Sequence, residues 1–263
     1  MMFLGHGDVE PVQTIAMALG AGVLAGVLHT FLGADHLAAL LPLSVNRKLK
    51  AAWQGVRWGA GHSLGVVIVA MILLAGRETL DLTPVEEWGE RIVGLMLVAL
   101  GIWGIRSAFK QNLHVHAHAH DGTQHSHLHI HTKDAHDPKD DSFWKRHAHS
   151  HAAVGAGTLH GVAGMAHLLG VLPALAAPTL LISMTYLAAF AAGSIFSMAV
   201  FAGLFGAVTA ALGQKSAKLL KGSLYAAAIA CVAIGVFWFA KTFMPEHESD
   251  HHATLELDRE REA

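Results

Sequence analysis

The sequence predicts an all-α, polytopic membrane protein in which six transmembrane helices form two inverted repeats of three helices each. Of the 263 residues, 53% are hydrophobic and only 14% are charged, a balance that excludes an ordinary soluble domain. Long apolar runs occupy both halves of the chain, and a pair of histidines recurs at the same spacing in each half. Because each repeat would hold an odd number of spans, the two repeats must have opposite orientations in the membrane.

Polar and basic turns divide the chain into two repeats, a histidine-rich loop and a tail. In the first repeat, residues 1–110, we expect spans over residues 12–34, 51–75 and 91–109. In the second repeat, residues 152–245, one span begins at residue 152, one lies within the run 178–212, and one covers 219–240. The run 178–212 exceeds the roughly twenty residues that a single span needs. The loop is residues 111–151, and the polar tail is residues 246–263.

Towards its end, the first apolar run contains three ionisable residues, His29, Asp35 and His36. Such residues are costly in hydrocarbon, so they indicate an ion or proton pathway. In an unbroken helix the two imidazoles would share one face but lie about 10 Å apart, too far for one metal ion. Either each histidine serves a different position on a path, or Gly33 breaks the helix between them. We expect a short broken or re-entrant piece over residues 35–45.

A second copy of this arrangement lies in the other half of the chain. His160 and His167 have the spacing of the first pair, with Gly164 at the place of Gly33, while Ala166 replaces the aspartate. Two such pairs in register predict an internal repeat. The alternative is buried histidines that only hydrogen-bond a neighbouring helix.

His62 is a further candidate, about 15 Å from the start of the second span and surrounded by small residues that suit helix packing or an ion. The candidate metal ligands all lie in apolar spans or in the broken piece that follows the first span; they are His29, Asp35, His36, His62, His160 and His167. Imidazoles with one carboxylate favour nickel, cobalt or zinc over magnesium or calcium. The single cysteine, Cys231, excludes a disulfide framework and a thiolate cage.

The loop at residues 111–151 contains twelve histidines, many of them at alternate positions. Alternate side chains of an extended chain lie on one side, and imidazoles bind nickel, cobalt, zinc or copper readily. We therefore expect this loop to bind metal as a sensor or buffer, separate from the transport site. A disordered linker of biased composition is the alternative.

Lysine and arginine are concentrated in three turns, at residues 46–50, 106–110 and 215–221. The positive-inside rule places these turns in the cytoplasm. Both termini are then outside, and the histidine-rich loop is inside. We expect a multi-pass protein of the plasma (cytoplasmic) membrane.

These motifs resemble the nickel/cobalt transporter superfamily, and within it the UreH-like and NicO-like members. The stretches that carry the resemblance are H-T-F-L-G-A-D-H followed by L-A-A-L, then G-V-R-W-G-A-G-H-S-L-G, and H-G-V-A-G in the second half. Members carry a first-span signature H-x-x-x-x-D-H whose histidines and aspartate select the metal, which implies His29, Asp35 and His36 here. This chain has five residues, not four, between the first histidine and the aspartate. The family contains both importers and exporters, so the direction of transport stays open.

The expected function is transport of divalent transition-metal ions, nickel or cobalt, as substrate and without a resident cofactor. The expected partners are divalent metal ions and the lipid bilayer, with no nucleic acid; a homo-oligomer is one of the states left open. A membrane-embedded metalloenzyme, the first alternative, would need a general base beside the metal. Apart from Asp35, no acidic residue lies deep in a predicted span, so we do not expect an enzyme. A carrier of another small substrate, such as an anion, would need buried basic residues, and only Arg57 qualifies, near the edge of its span.

Overall fold

The computed structural model describes the backbone of residues 11–76, 83–120, 123–132, 143–164 and 166–243. The first half contains the helices α1 (Pro11–Leu32), α2 (Ala34–Ser44), α3 (Ala51–Ala75) and α4 (Thr83–Lys110), with a 3-10 turn at Lys48–Lys50 before α3. A β-hairpin follows, formed by β1 (Gln111–His120) and β2 (Thr123–Thr132). The second half contains α5 (Phe143–Ala163), α6 (Ala166–Leu175), α7 (Leu180–Lys215) and α8 (Ala217–Lys241).

Five helices of the described chain are long and apolar enough to cross a membrane, namely α1, α3, α4, α7 and α8. The chain is therefore a membrane protein. The predicted fourth span falls in α5, which begins at Phe143, inside the predicted loop, and whose first turns carry Lys145, Arg146 and several histidines. This polar start is the reason that α5 is not among the five apolar helices.

Two further features add detail to what the sequence predicted. The run 178–212, within which one span was predicted, lies almost wholly in the single 36-residue helix α7, which at 1.5 Å per residue is roughly 54 Å long and can extend beyond the bilayer. Residues 111–132, predicted as part of a loop, form an antiparallel hairpin. The alternation of histidine with other residues there has the two-residue period of a strand.

The helix breaks at Gly33, one of the two outcomes that the sequence allowed. Gly33 has φ −79° and ψ 98°, an extended conformation that ends α1 and begins α2. The same break occurs between α5 and α6, where the Gly164 amide donates to the His160 carbonyl, just as the Gly33 amide donates to the His29 carbonyl. The short helix α2 corresponds to the predicted broken piece, residues 35–45.

Small residues let the long helices approach closely. α1 packs along α7, α3 along both α5 and α7, and α4 along α8. At the crossing of α3 and α5, a Cβ on Gly61 would collide with the Val154 carbonyl, and one on Gly161 would collide with the His62 carbonyl. This backbone approach is typical of helix pairs in membranes, and it sets the distance between the histidines of α3 and α5.

The short helix α2 lies at the centre of the bundle. Ala39 and Leu40 are fully buried and belong to one core cluster with Trp58 of α3, Leu97 of α4 and Met198 of α7. Large apolar residues on the outer faces are exposed, as expected for surfaces that contact lipid; they include Leu24, Leu32, Phe196, Leu204 and Phe237. The residues that begin α2, Asp35 and His36, are thereby held away from the lipid.

We expect Gly161→Ala to destabilise the protein by about 1–3 kcal/mol, because the added methyl group must separate α5 from the His62 carbonyl. Gly155→Ala is the matched control on the same helix, since a Cβ at Gly155 meets nothing within 4 Å. The control should keep or raise the thermal unfolding temperature in detergent. Equal unfolding temperatures for the two variants would contradict the close packing of α3 on α5.

Candidate metal centre

The break at Gly33 brings two predicted ligands together. His29 lies in the last turn of α1 and His36 in the first turn of α2, and their ring centroids are 4.6 Å apart with the rings nearly perpendicular. A Cβ on Gly33 would collide with the His36 imidazole and approach the Asp35 carboxylate. Glycine is therefore required here for both the break and the space that the two side chains fill.

Asp35 lies between histidines from the two halves of the chain. Its Oδ1 is 2.9 Å from Nδ1 of His36, and its Oδ2 is 3.3 Å from Nε2 of His160. The side chains of both histidines are fully buried, and that of Asp35 is 7% exposed. A buried carboxylate in this position can neutralise the charge of a cation or fix the orientation of both imidazoles.

His62, near the middle of α3, completes the group. Its ring centroid lies 5.5 Å from that of His29, 4.8 Å from that of His36 and 5.5 Å from that of His160. His36 is in turn 4.7 Å from His160. The structure thus brings five of the six predicted ligands together, around His36.

The ligand atoms form two overlapping triads. His29, His36 and His62 make one, and Asp35, His36 and His160 make the other, with the ligand atoms of each triad within 4.8 Å of one another. Three nitrogen or oxygen ligands, each about 2.0–2.2 Å from a metal, lie at most ~4.4 Å apart, so small side-chain rotations would suffice to hold an ion. Both triads fit a borderline divalent metal and lack the oxygen-rich character of a magnesium or calcium site.

The sixth predicted ligand, His167, belongs to α6, but its side chain lies outside the described residues. The side chains of the histidine-rich hairpin also lie outside them, whereas its backbone register is described. His114 is opposite His129, His116 opposite His127, and His118 opposite His125. Because directly opposed residues of an antiparallel pair lie on the same face, these three histidine pairs share one face of the hairpin.

Sequence analysis missed two aromatic neighbours of the centre. The Trp58 ring is fully buried and lies 6.0 Å from that of His160, and the Phe190 ring of α7 lies 5.3 Å from that of His29. A signal for Trp58 was present, since it precedes His62 by four residues, one helical turn on the same face of α3. Phe190 had no comparable signal.

A serine of α7, Ser194, contacts α1 close to the candidate ligand His29. Its hydroxyl donates to the Gly26 carbonyl of α1, and the Thr30 hydroxyl donates to the same carbonyl. The Ser194 bond joins α7 to α1 near His29, whereas the Thr30 bond lies within α1. Ser194 therefore supports the helix that carries a candidate ligand.

Comparison with known proteins gives two relatives, both from Arabidopsis thaliana. The chain is 33% identical over 217 residues to "Chloroplast protein FOR GROWTH AND FERTILITY 1", which is 82% of this chain and 56% of that protein. It is 30% identical over 216 residues to "Chloroplast protein FOR GROWTH AND FERTILITY 2", which is 82% of this chain and 54% of that protein. The chain thus spans about half the length of the curated relatives it matches. No protein-family model and no solved structure matches it. The relatives' names state no activity and mention no metal, so the resemblance to nickel/cobalt transporters remains a hypothesis from motifs.

Proposed function

We propose that this protein transports divalent transition-metal ions, nickel or cobalt, across the membrane. The observation that carries the proposal is the convergence of four imidazoles and one carboxylate, from α1, α2, α3 and α5, inside an apolar bundle. Ionisable groups at this depth are costly and are typical of ion pathways. The donor set, imidazole with a single carboxylate and no thiolate, suits moderate and reversible binding of nickel or cobalt.

The proposed architecture is six spans in two inverted repeats. In this scheme α1 with α2, and α5 with α6, each form one broken span, while α3, α4, α7 and α8 are the other four. Three features support this scheme. Both broken spans carry a histidine one turn before the break, and both short helices contain a proline, Pro42 in α2 and Pro173 in α6. In addition, α1 packs on α7 as α5 packs on α3. Broken helices that meet at the midplane are typical sites for substrate in inverted-repeat transporters.

His36 belongs to both triads, so it connects the two proposed metal positions. An ion held by the triad of His29, His36 and His62 could pass to the triad of Asp35, His36 and His160 without leaving His36. Neighbouring sites of moderate affinity are what conduction requires, since an ion must be able to leave as well as enter. We place the basic turn at residues 46–50 on the cytoplasmic side of the plasma membrane and both termini outside.

The test is transport by purified protein in lipid vesicles that contain a metal-sensitive dye. Addition of nickel or cobalt outside should change the dye signal only in vesicles that contain the protein, whereas magnesium should not. Vesicles with the Asp35→Asn protein provide the inactive control. Equilibrium binding of nickel without any movement across the vesicle membrane would contradict transport and would favour a membrane metalloenzyme.

We expect the hairpin to contribute metal binding without forming the path. Replacing the six paired histidines by glutamine should reduce the number of nickel ions bound per chain at neutral pH and leave vesicle transport in place; they are His114, His116, His118, His125, His127 and His129. Coordination needs neutral imidazole, which in water titrates near pH ~6.5, so acidification through that range should release the additional ions from the parent protein. The matched control is Val115→Thr with Leu128→Thr, a directly opposed pair on the other face. Loss of transport in the glutamine variant, with normal membrane insertion, would show that the hairpin is part of the path.

A further inference from the structure

A cavity of about 630 Å³ lies beside the metal centre, between α3, α4 and α5. Its lining combines two arginines, Arg47 and Arg57, and the amide side chain of Gln54 with an apolar wall that includes Leu100 and Trp103. None of the residues that line it is acidic. The cavity therefore offers positive charge and hydrogen-bond donors beside a large apolar surface.

The positive charge makes this cavity unsuitable as an entrance for metal. Two arginines in its lining repel a divalent cation. Trp58, which also lines the cavity, separates it from His160, with the two rings 6.0 Å apart. The cavity is thus a neighbour of the metal centre that suits a different ligand, one with a negative head and an apolar body.

The position of the cavity indicates where that ligand comes from. α4 and α5 touch at one end, where a Cβ on Gly89 would collide with the Ala163 carbonyl. The cavity lies towards the other end, where Trp103 of α4 is 45% exposed and Ala152 of α5 is exposed. This end also carries the basic turn that contains Arg47. The cavity therefore lies at the basic end of α4 and α5, the end that the positive-inside rule assigns to the cytoplasmic headgroup region.

Arg57 is suited to this level of the membrane. It lies six residues into α3, roughly 9 Å from the helix start, and its guanidinium carbon is 5.8 Å from the centroid of the Trp53 ring. The side chain is half-buried, and the aliphatic part can lie along apolar surface while the charged end meets a headgroup. Arginine also binds phosphate oxygens in a bidentate geometry.

We propose that this cavity binds an anionic phospholipid from the membrane, with its phosphate against Arg47 and Arg57 and an acyl chain along Leu100 and Trp103. Basic pockets between transmembrane helices on the cytoplasmic side are typical sites for anionic headgroups. The bound lipid would fill the gap between α4 and α5 next to Trp58. It would thus support the wall that separates the metal centre from the headgroup region.

The test measures lipid binding to the full chain in detergent by native mass spectrometry and by titration with phosphatidylglycerol, phosphatidylcholine and inorganic phosphate. Phosphatidylglycerol should bind in preference to phosphatidylcholine. The double variant Arg47→Gln, Arg57→Gln should bind phosphatidylglycerol roughly thirtyfold more weakly than the parent, because each basic residue near an anionic lipid adds to the attraction. The control variant Lys50→Gln, Arg106→Gln removes two exposed basic residues of the same end that do not line the cavity, and it should bind within about twofold of the parent.

Nickel binding by the double variant in lipid-free detergent checks that the variant is folded, and it should equal that of the parent. Equal affinity for the two lipids, competition by inorganic phosphate at the same concentration as lipid, or equal loss in the control variant would each overturn the proposal. A further variant, Ala156→Phe, fills the cavity without changing charge and should also weaken binding of phosphatidylglycerol. The readout is lipid binding, so its failure is distinct from a failure of metal transport.

Discussion

Nickel binding is expected to weaken by roughly a hundredfold when Asp35 is replaced by asparagine. The carboxylate contacts His36 at 2.9 Å and His160 at 3.3 Å, and the amide keeps its shape but removes the negative charge that offsets the metal. Loss of a group that only orients ligands already costs ten- to a hundredfold in metal affinity, so a group that can also ligate should reach the upper end of this range. The measurement is equilibrium titration with nickel in detergent, where no ion gradient exists.

Glu90→Gln is the matched control for this substitution. It makes the same chemical change at a carboxylate that pairs with Lys241 at 3.0 Å, near the start of α4 and the end of α8, and it should bind nickel like the parent. The parent should also lose affinity on acidification, because protons compete with the metal for imidazole nitrogens. If Asp35→Asn binds nickel as tightly as the parent, and the parent is insensitive to acid, these residues are not the metal site.

Gly33→Ala is expected to reduce nickel affinity by at least about tenfold in a protein that still folds. The added methyl group would occupy the space of the His36 imidazole and approach the Asp35 carboxylate, so both side chains must leave the positions that join the two triads. Nickel titration and thermal unfolding in detergent should be measured together. We expect a clear loss of affinity with a smaller change in unfolding temperature.

Gly20→Ala, within α1, provides the comparison. A Cβ at Gly20 meets nothing within 4 Å, so this variant should bind nickel like the parent and gain slightly in helix stability. Unchanged nickel affinity in Gly33→Ala would mean that the contacts of His36 and Asp35 across the break do not hold the metal.

Much of the candidate site follows from local sequence. Apolar composition over about twenty residues predicts a span whatever surrounds it, and the glycine between His29 and His36 predicts a place where the helix can break. Both signals depend only on residues near in the chain. The candidate ligands and the position of the first break could therefore be named from the sequence, whereas their convergence could not.

The bounds of the helices in the second half depend on more than local hydropathy. One span was predicted within residues 178–212, and a single helix, α7, runs through them to Lys215. A span was predicted to begin at residue 152, and the helix that contains it, α5, begins earlier, at Phe143, with polar turns. Hydropathy averages over a window, and it cannot place the start of a helix that crosses from polar to apolar surroundings.

The sequence by itself determined that this chain enters a membrane, that Gly33 is the place where its first span can break, and that histidine and aspartate are the available ligands. Only the tertiary structure decided that Asp35 lies between His36 and His160, and that Trp58 stands between His160 and an arginine-lined cavity. These contacts depend on how closely α3 and α5 approach. That distance is set where the backbone of Gly161 meets the His62 carbonyl, a pairing of surfaces from separate halves of the chain that no local pattern encodes.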